Sequence, residues 1–324
     1  MDRLSQIKSP IISDLEQFKE LFNSSLDNSN PLLNEVLSHI KQRGGKMMRP
    51  ILVLLIARLL GKVSSSTLHS AVSLELLHTA SLVHDDVVDE SSQRRGQASV
   101  NALYDNKVSI LVGDYLLATC LIQAAFSRNH EVITVVSRLG QDLSEGELLQ
   151  LSNVSNTEIL ESVYFDVIRK KTAALFAACT HTAALSAGVS PEKVEMARLF
   201  GEYTGICFQI KDDIFDYYDD REVGKPTGND MREGKLTLPA IYAINTAASE
   251  EGKKLAVKVK SGTATDDEIK RLIDFSKQNG GIEYATKVMF DYHSKAVQLL
   301  EDFPDSDIKQ SLISYLDYVV DRKK

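Results

Sequence analysis

Apolar residues recur at three- and four-residue steps along nearly the whole chain, and this spacing predicts helices. It is clearest in four stretches: Leu68 to Val83, Val108 to Phe126, Val163 to Ala187 and Lys193 to Tyr217. Clear alternating, strand-like stretches are absent. Prolines fall where helices would start or break, at Pro10, Pro31, Pro191 and Pro304. The spacing therefore predicts an all-α fold.

Between about Val108 and Tyr217 the predicted helices are apolar on most of their circumference, which is typical of buried helices. From about Ala247 onward the chain is more polar and charged. We therefore predict one large helical bundle over residues 1–324, with a central apolar interior and shorter peripheral helices from about Ala247. Length alone would also allow two ordinary domains.

The charge balance and the cysteines narrow the possible partners and compartment. Acidic side chains number 45 and basic ones 37, a formal net charge of −8, which argues against a nucleic-acid partner. Cys120, Cys179 and Cys207 are odd in number and lie in apolar surroundings, so we predict buried thiols in a reducing compartment. No secretory signal and no run of about 18–20 uninterrupted apolar residues is present, so we expect a cytoplasmic protein without an integral membrane segment.

Two five-residue stretches share one acidic layout, Asp85-Asp86-Val87-Val88-Asp89 and Asp212-Asp213-Ile214-Phe215-Asp216. On a helix, residues i and i+4 lie on one face, roughly 6 Å apart, so each stretch would present paired carboxylates. Such like charges need a cation between them. A hard divalent ion such as Mg²⁺ prefers oxygen ligands and often joins carboxylates to substrate phosphates.

Cationic and glycine-rich stretches accompany these two motifs. Arg94-Arg95-Gly96 follows the first, and Gly44 to Pro50, with Lys46 and Arg49, precedes an apolar helix. Gly224 to Pro239, with Lys225 and Lys235, follows the second motif and has the composition of a lid. Taken alone, each stretch also fits an ordinary surface loop. Next to acidic metal motifs, the arginines and lysines predict a bound polyanion such as diphosphate.

Two further candidates lie on helices. Lys171 lies between Ile168 and Leu175 in an apolar helix, an unusual place for a charge without a role. His78 is seven residues before Asp85, and a lone helical histidine is more often a core or surface residue than a ligand. Because no cysteine or second histidine lies at metal-ligand spacing, zinc is not expected. A hydrogen bond from His78 to phosphate is the better functional prediction.

Together these motifs resemble the trans-isoprenyl diphosphate (polyprenyl) synthases, in particular their medium- and long-chain members, over nearly the whole chain. The matching motifs are Gly44-Gly45-Lys46 with Arg49-Pro50, both Asp motifs, Arg94-Arg95-Gly96, Lys171-Thr172, Phe208-Gln209 and the lid from Gly224 to Pro239. The resemblance implies an all-α fold of isoprenoid synthase type and a homodimer. It also implies head-to-tail condensation of isopentenyl diphosphate with an allylic diphosphate.

The resemblance also implies a role for each matching residue. Asp85, Asp89 and Asp212 would be the main ligands of about three Mg²⁺ ions, for which Mn²⁺ could substitute, and Asp86, Asp213 and Asp216 would support them. Arg94, Lys171, Lys225 and Lys235 would bind the allylic diphosphate. Lys46, Arg49, His78 and Arg95 would bind isopentenyl diphosphate. Thr172 and Gln209 would direct oxygen atoms at the developing carbocation.

Product length is expected to depend on the residues before the first Asp motif, which line the tail shaft in this family. Ala80 and Ser81 lie one turn above the motif, and Leu77 and Leu74 lie deeper. Small residues near the motif predict a product of geranylgeranyl length or longer, and we expect a quinone side-chain precursor. A geranylgeranyl or farnesyl diphosphate synthase is the alternative. Whether Phe126 forms a floor stays open.

Two other classes fit part of the pattern. A metal-dependent terpene cyclase also ionises allylic diphosphates, but it needs no second diphosphate site, so Lys46, Arg49 and Arg95 argue against it. A non-catalytic subunit of a heteromeric synthase would be expected to lose metal ligands, and here every Asp is present.

Overall fold

The computed structural model describes residues 2–42, 45–94, 96–154, 159–218, 227–247 and 249–322. Most of the described chain is helical, which confirms the predicted all-α fold. In chain order the helices are α1 (Arg3–Lys8), α2 (Ile12–Ser25), α3 (Pro31–Gln42), α4 (Met48–Leu60), α5 (Ser65–Val88), α6 (Val100–Tyr104), α7 (Asn106–Phe126), α8 (His130–Val154), α9 (Glu161–Ile168), α10 (Ala174–Ala187), α11 (Pro191–Phe215), α12 (Asn229–Arg232), α13 (Leu238–Thr246), α14 (Glu250–Lys260), α15 (Asp266–Gln278), α16 (Gly281–Gln298) and α17 (Asp307–Asp321).

Two short helical turns and one two-stranded hairpin interrupt this series. Ser9–Ile11 forms a 3₁₀ turn, and Arg169–Ala173 forms a π-helical turn between α9 and α10. Strands β1 (Gln93–Arg94) and β2 (Gln97–Ala98) pair antiparallel, with Gln93 opposite Ala98. Each strand has only two residues, so alternation along the sequence could not reveal this hairpin.

Local sequence explains the helix boundary that was predicted at Pro191 and also the start of α5. Helix α10 ends at Ala187, Gly188 follows with a φ of +67°, and Pro191 opens α11. Glycine adopts this left-handed conformation at low cost after a helix, and proline suits a helix start because it has no N–H to satisfy. Ser64 begins α5 with a capping box, in which its side chain and that of Thr67 each accept a backbone N–H.

The residues group into two compact units. The first unit comprises residues 1–140, 175–201 and 303–315, and the second comprises residues 141–174, 202–302 and 316–324. This grouping does not test the expectation of a single domain over residues 1–324, which stays a prediction. The three cysteines are free and buried, as predicted.

In the first unit, helix α7 packs along α5 on one side only. Its other side exposes large apolar residues: Ile110, Leu111, Leu121, Ile122 and Phe126. The prediction that this helix is buried is therefore wrong for the single chain, because apolar periodicity marks an interface as readily as a core. Among the described helices, α7 is also the one long and apolar enough to cross a membrane, a property that core helices of globular proteins share.

The first unit also contains a close helix contact that depends on glycine. A Cβ placed on Gly201, in α11, would lie 2.2 Å from Thr180 Oγ1 and 2.4 Å from the Phe176 carbonyl oxygen of α10. We expect Gly201→Ala to lower the free energy of unfolding by about 1–3 kcal/mol, the usual cost of overpacking. Gly140→Ala, in α8, is the matched control because nothing lies within 4 Å of its Cβ position.

In the control, alanine's better helix propensity should raise the free energy of unfolding by about 0.5–1 kcal/mol. Urea denaturation followed by circular dichroism measures both variants. Equal effects of the two substitutions would contradict the close contact at Gly201.

In the second unit, the helices after Ala247 form part of a hydrophobic core. Helices α14 and α15 are short, with 11 and 13 residues, but α16 and α17, with 18 and 15, are longer than α2, α3 and α4, with 14, 12 and 13, so the prediction of shorter helices holds only for α14 and α15. Leu255, Val259 and Leu272 nevertheless cluster with Tyr217 and Met231 in the interior. This cluster lies directly beyond the end of α11, where the second Asp motif is located.

Candidate active site

The first Asp motif lies at the C-terminal end of α5. The helix ends at Val88, and the amide of Asp89 still donates to the carbonyl of Asp85 at 2.8 Å, so the two residues keep helical spacing. Asp85 is half-buried, Asp86 is fully buried and Asp89 is exposed. Asp85 and Asp89 are therefore the two members of this motif with carboxylates that solvent, and hence an ion, can reach.

Asp86 anchors the hairpin that follows. Its Oδ1 accepts a hydrogen bond of 2.6 Å from Arg94 Nε, and its carbonyl accepts one of 3.1 Å from Asn101 Nδ2. The amide of Ser91 also donates to the Asp86 carbonyl, at 2.9 Å. A buried carboxylate requires such partners. Asp86 thus orients Arg94, which was predicted to bind diphosphate, and Arg95 lies outside the described residues.

The second Asp motif ends α11 in the same way. The helix ends at Phe215, and the amide of Asp216 donates to the Asp212 carbonyl at 3.3 Å. Asp212 is half-exposed, and its Oδ1 accepts a hydrogen bond of 2.7 Å from Arg322 Nη2. Arg322 also donates to the Phe208 carbonyl at 2.9 Å, and its guanidinium lies 3.8 Å from the Phe208 ring centroid. Asp212 is therefore ion-paired with the Arg322 guanidinium.

Asp216 holds the backbone of part of the predicted lid, which runs from Gly224 to Pro239. Its Oδ1 accepts the amide of Asn229 at 2.9 Å, and its Oδ2 accepts the amide of Asp230 at 3.0 Å. The Asp216 carbonyl accepts the amide of Gly228 at 2.8 Å. Both carboxylate oxygens thus have structural partners, which suits the supporting role expected for this residue.

Asp213 is the buried member of the second motif, with 2% exposure. Its Oδ2 accepts from the Tyr164 hydroxyl at 2.6 Å, and its Oδ1 accepts from Gln209 Nε2 at 2.7 Å. Burial raises the pKa of Asp213 well above its ordinary value, and the charge of Asp230 adds to the rise. The two donated hydrogen bonds lower the pKa because they favour the carboxylate.

Lys171 and Thr172 lie in the π-helical turn between α9 and α10. Such turns are frequent at functional sites, where they redirect side chains within a helix. Lys171 Nζ forms an ion pair with Glu147 Oε1, and Thr172 Oγ1 donates to Gln209 Oε1 at 2.7 Å. Gly146 of α8 permits the close approach, because a Cβ there would lie 3.1 Å from the Lys171 amide nitrogen.

A cavity of about 200 Å³ lies within the second unit. Its polar lining comprises Gln150, Tyr164, Lys171, Thr172, Gln209, Asp213, Asp230, Lys235, Thr237 and Lys260, and its apolar lining comprises Ile159, Leu160, Val167, Ile168, Leu236 and Ile241. Burial lowers the pKa of Lys260. Three lysines, two carboxylates and an aliphatic wall thus share one cavity, which suits a substrate with an anionic head and a hydrocarbon tail.

Two further cations of the predicted site, Lys46 and Arg49, lie in the first unit around the start of α4. Met47 precedes the helix with a φ of +53°, a strained value for a residue with a side chain, and the Tyr315 hydroxyl donates to the Met48 carbonyl at 3.0 Å. Arg49 stacks over Phe176 at 5.6 Å, and its buried Nε has no hydrogen-bond partner among the described residues. A buried donor of this kind fits an anionic ligand.

The acidic side chains fit Mg²⁺ by their chemistry. Asp85, Asp89 and Asp212 offer oxygen atoms, and within the described ranges no three His, Cys, Asp or Glu side chains lie close enough together to hold a metal alone. Mg²⁺ often binds through one or two carboxylates, with waters and substrate phosphates as its other ligands. In each unit by itself, the reachable carboxylates therefore suit an ion that arrives together with a phosphorylated substrate.

Comparison with known proteins agrees with this geometry. A sequence profile described as polyprenyl synthetase matches residues 30–275. The chain belongs to the polyprenyl synthetase family. It is therefore a prenyltransferase, and the resemblance drawn from its motifs is confirmed.

Similar proteins cover the whole length of this polyprenyl synthetase. Octaprenyl diphosphate synthase of Haemophilus influenzae is 33% identical over 99% of this chain and 97% of the relative. A crystal structure of geranylgeranyl pyrophosphate synthase from Bacteroides thetaiotaomicron is 60% identical, with a TM-score of 0.87 over 99% of this chain and 100% of that chain. A crystal structure of decaprenyl diphosphate synthase from Rhodobacter capsulatus is 35% identical, with a TM-score of 0.92 over 99% of each chain.

For some residues of the predicted site, the structure gives the position, and the role stays a prediction. Lys46 is exposed and His78 is half-buried. Lys235 lines the cavity of the second unit, and its Nζ lies 2.5 Å from Glu233 Oε2. Gly44, Gly224, Lys225 and Pro226 lie outside the described residues.

The predicted chain-length residues of the synthetase all lie on α5. Leu74, Leu77 and Ala80 are buried, whereas Ser81 is half-buried and its hydroxyl donates to the His78 carbonyl at 2.9 Å. Phe126 is 56% exposed in the single chain and lies edge-on to His69 at 5.6 Å.

Sequence reasoning missed Tyr164, Glu147, Lys260 and Arg322 in this polyprenyl synthetase. Tyr164 precedes Lys171 by seven residues, or two helical turns, which places it near the same helix face. This spacing could have marked Tyr164 as a candidate site residue. Arg322 belongs to the basic C-terminal run Arg322-Lys323-Lys324, another available signal. Nothing local marks Glu147, whose partner Lys171 is distant in sequence, or Lys260.

Proposed function

We propose that this prenyltransferase condenses isopentenyl diphosphate head-to-tail with an allylic diphosphate to form an all-trans polyprenyl diphosphate. One observation carries the proposal: Lys171 stands next to the hydrogen-bonded pair Thr172 and Gln209 in a cavity with an aliphatic wall. A cation beside neutral oxygen acceptors suits a reaction in which an anionic group departs and a carbocation remains.

In this proposal, the charge of each side chain decides which part of the substrate it stabilises. Lys171 and Lys235 bind the allylic diphosphate and stabilise the negative charge that grows on it as the C–O bond ionises. Thr172 and Gln209 place oxygen atoms near the carbocation. Asp85 and Asp89 in the first unit, and Asp212 in the second, would each hold Mg²⁺, which would supply further neutralisation of the diphosphate charge. The apolar wall excludes water, which would otherwise quench the carbocation.

Isopentenyl diphosphate is assigned to the cations of the first unit. Lys46, Arg49 and His78 supply donors, and the buried Nε of Arg49 supports this assignment because an anion would satisfy it. The double bond of isopentenyl diphosphate attacks the carbocation, and the released diphosphate takes the proton that is lost.

For the product we propose a long all-trans chain, of the kind attached to quinones. The small side chain of Ala80 and the short one of Ser81 support it, and octaprenyl and decaprenyl diphosphate synthases are among the similar proteins. We expect incubation with farnesyl diphosphate, isopentenyl diphosphate and Mg²⁺ to give products longer than geranylgeranyl diphosphate. Chromatographic sizing measures them. A terminal farnesyl- or geranylgeranyl-length product would contradict the long chain but keep the condensation.

We also propose that the enzyme is a cytoplasmic homodimer that buries the exposed apolar side of α7. Leu121→Lys places a charge in that surface, and we expect it to convert the dimer to a monomer, since a buried unpaired charge is costly. Light scattering coupled to gel filtration measures the mass. The control is Val257→Lys on α14, where valine is equally exposed outside this surface. A Leu121→Lys dimer would contradict the interface.

The purified chain, alone with Mg²⁺ and both substrates, tests the function itself. We expect steady turnover. Activity that appears only after a second, different chain is added would instead support a subunit of a heteromeric synthase.

A further inference from the structure

A line of hydrogen bonds, buried at its Tyr164–Asp213 end, runs along one wall of the cavity in the second unit. Thr172 Oγ1 donates to Gln209 Oε1 at 2.7 Å, and Gln209 Nε2 donates to Asp213 Oδ1 at 2.7 Å. At the far end, the Tyr164 hydroxyl donates to Asp213 Oδ2 at 2.6 Å. The line joins α9, the π-helical turn and α11, and all four residues line the cavity.

The Asp213 carboxylate determines which group donates in each hydrogen bond of the line. Asp213 accepts with both oxygens, so Gln209 must present its NH₂ group to the carboxylate and its carbonyl oxygen to Thr172. The reverse amide orientation would place two oxygen acceptors against each other. Thr172 in turn uses its one hydroxyl proton on Gln209. The surfaces that Thr172 and Gln209 offer the cavity are then oxygen lone pairs.

The Tyr164 hydroxyl holds the Asp213 carboxylate in the position that these hydrogen-bond directions require. Without its hydroxyl, one oxygen of a carboxylate that is 2% exposed would lose its donor. The carboxylate would then be held by Gln209 alone and could rotate, and the Gln209 amide would lose its fixed partner. An N–H group turned toward the cavity would repel a carbocation, whereas an oxygen stabilises it.

We propose that Tyr164 is a positioning residue of the transferase, which acts through Asp213 to keep the Gln209 and Thr172 oxygens facing the carbocation. This inference rests on the proposed function. It extends that function to a residue that contacts neither metal nor diphosphate in the assignment above. A purely structural Tyr164 would stabilise the fold, through its hydroxyl on Asp213 and through its ring, which packs edge-on against Phe165 at 5.3 Å, without changing kcat of the folded enzyme.

The test removes only the hydroxyl. We expect Tyr164→Phe to lower kcat by about 10- to 100-fold, the usual effect of losing a partner that orients a site residue, with KM unchanged for both substrates. The matched control is Tyr284→Phe, whose hydroxyl also donates to a carboxylate, Glu161, at 2.9 Å, but does not line the cavity. We expect kcat of the control to equal that of the wild type. All assays are run at a temperature at which circular dichroism shows each variant folded.

A second measurement separates positioning from a general loss of stability. If Tyr164 acts through Gln209, adding Tyr164→Phe to a Gln209→Leu enzyme lowers kcat no further. A loss of the same size in both backgrounds, or a kcat of Tyr164→Phe equal to that of the control, overturns the inference. A wild-type chain that fails to condense the substrates removes the proposed function as well, so the two failures are distinguishable.

Discussion

Replacing Asp212 with asparagine is expected to lower kcat roughly a thousandfold, equivalent to about 4 kcal/mol of transition-state stabilisation. Asp212 is the half-exposed carboxylate of the second motif, whereas Asp213 is buried and Asp216 binds two backbone amides. Asparagine keeps the shape of the side chain but removes the negative charge that a hard divalent ion needs. Initial rates over a range of Mg²⁺ concentrations measure the effect, and direct Mn²⁺ binding checks the metal affinity separately.

Asp212→Asn also weakens the ion pair with Arg322, so a second variant must separate the two losses. Arg322→Gln breaks the same pair but leaves the carboxylate in place. We expect kcat of Arg322→Gln to fall by less than about tenfold, because the substitution removes the ion-pair partner of Asp212 but keeps the Asp212 carboxylate. Equal losses in both variants would show that the ion pair, and not metal binding, accounts for the importance of Asp212.

Local patterns in the sequence predicted the helical part of this structure well, because helices depend on residues three and four apart. Asp85 with Asp89 and Asp212 with Asp216 keep helical hydrogen bonds in the structure, as their spacing required. The same spacing did not show that both helices end one residue before the last Asp. It also could not separate the roles of neighbouring carboxylates, since burial decides which of them a metal can reach.

The partners of the site residues were beyond the reach of sequence patterns. Tyr164 and Asp213 are 49 positions apart, and Arg322 and Asp212 are 110 apart, so no periodicity joins them. Helix α7 illustrates a different limit. Its apolar side was interpreted as core, but Leu121 is 52% exposed in the single chain, because composition alone does not distinguish an exposed apolar surface from an interior.

Replacing Lys171 with methionine is expected to lower kcat/KM for the allylic diphosphate by about 100-fold. A hydrogen bond from a charged donor to a charged acceptor contributes about 1.5–3 kcal/mol, which corresponds to about 10- to 150-fold, and this one strengthens as the diphosphate departs. Methionine fills nearly the same volume without the charge. Steady-state rates at varied allylic diphosphate, with isopentenyl diphosphate saturating, measure the change.

The adjacent lysine is the natural control, since Lys170 lies in the same π-helical turn and also pairs with a glutamate of α8, Glu145, at 2.5 Å. It differs from Lys171 in one respect: it does not line the cavity. Lys170→Met removes the same charge from the same turn, so electrostatic effects on helix stability should be similar in both variants. We expect Lys170→Met to change kcat/KM by less than about twofold, because an exposed ion pair contributes little. Comparable losses at both positions would mean that the general charge of the turn matters, and that Lys171 does not bind the allylic diphosphate directly.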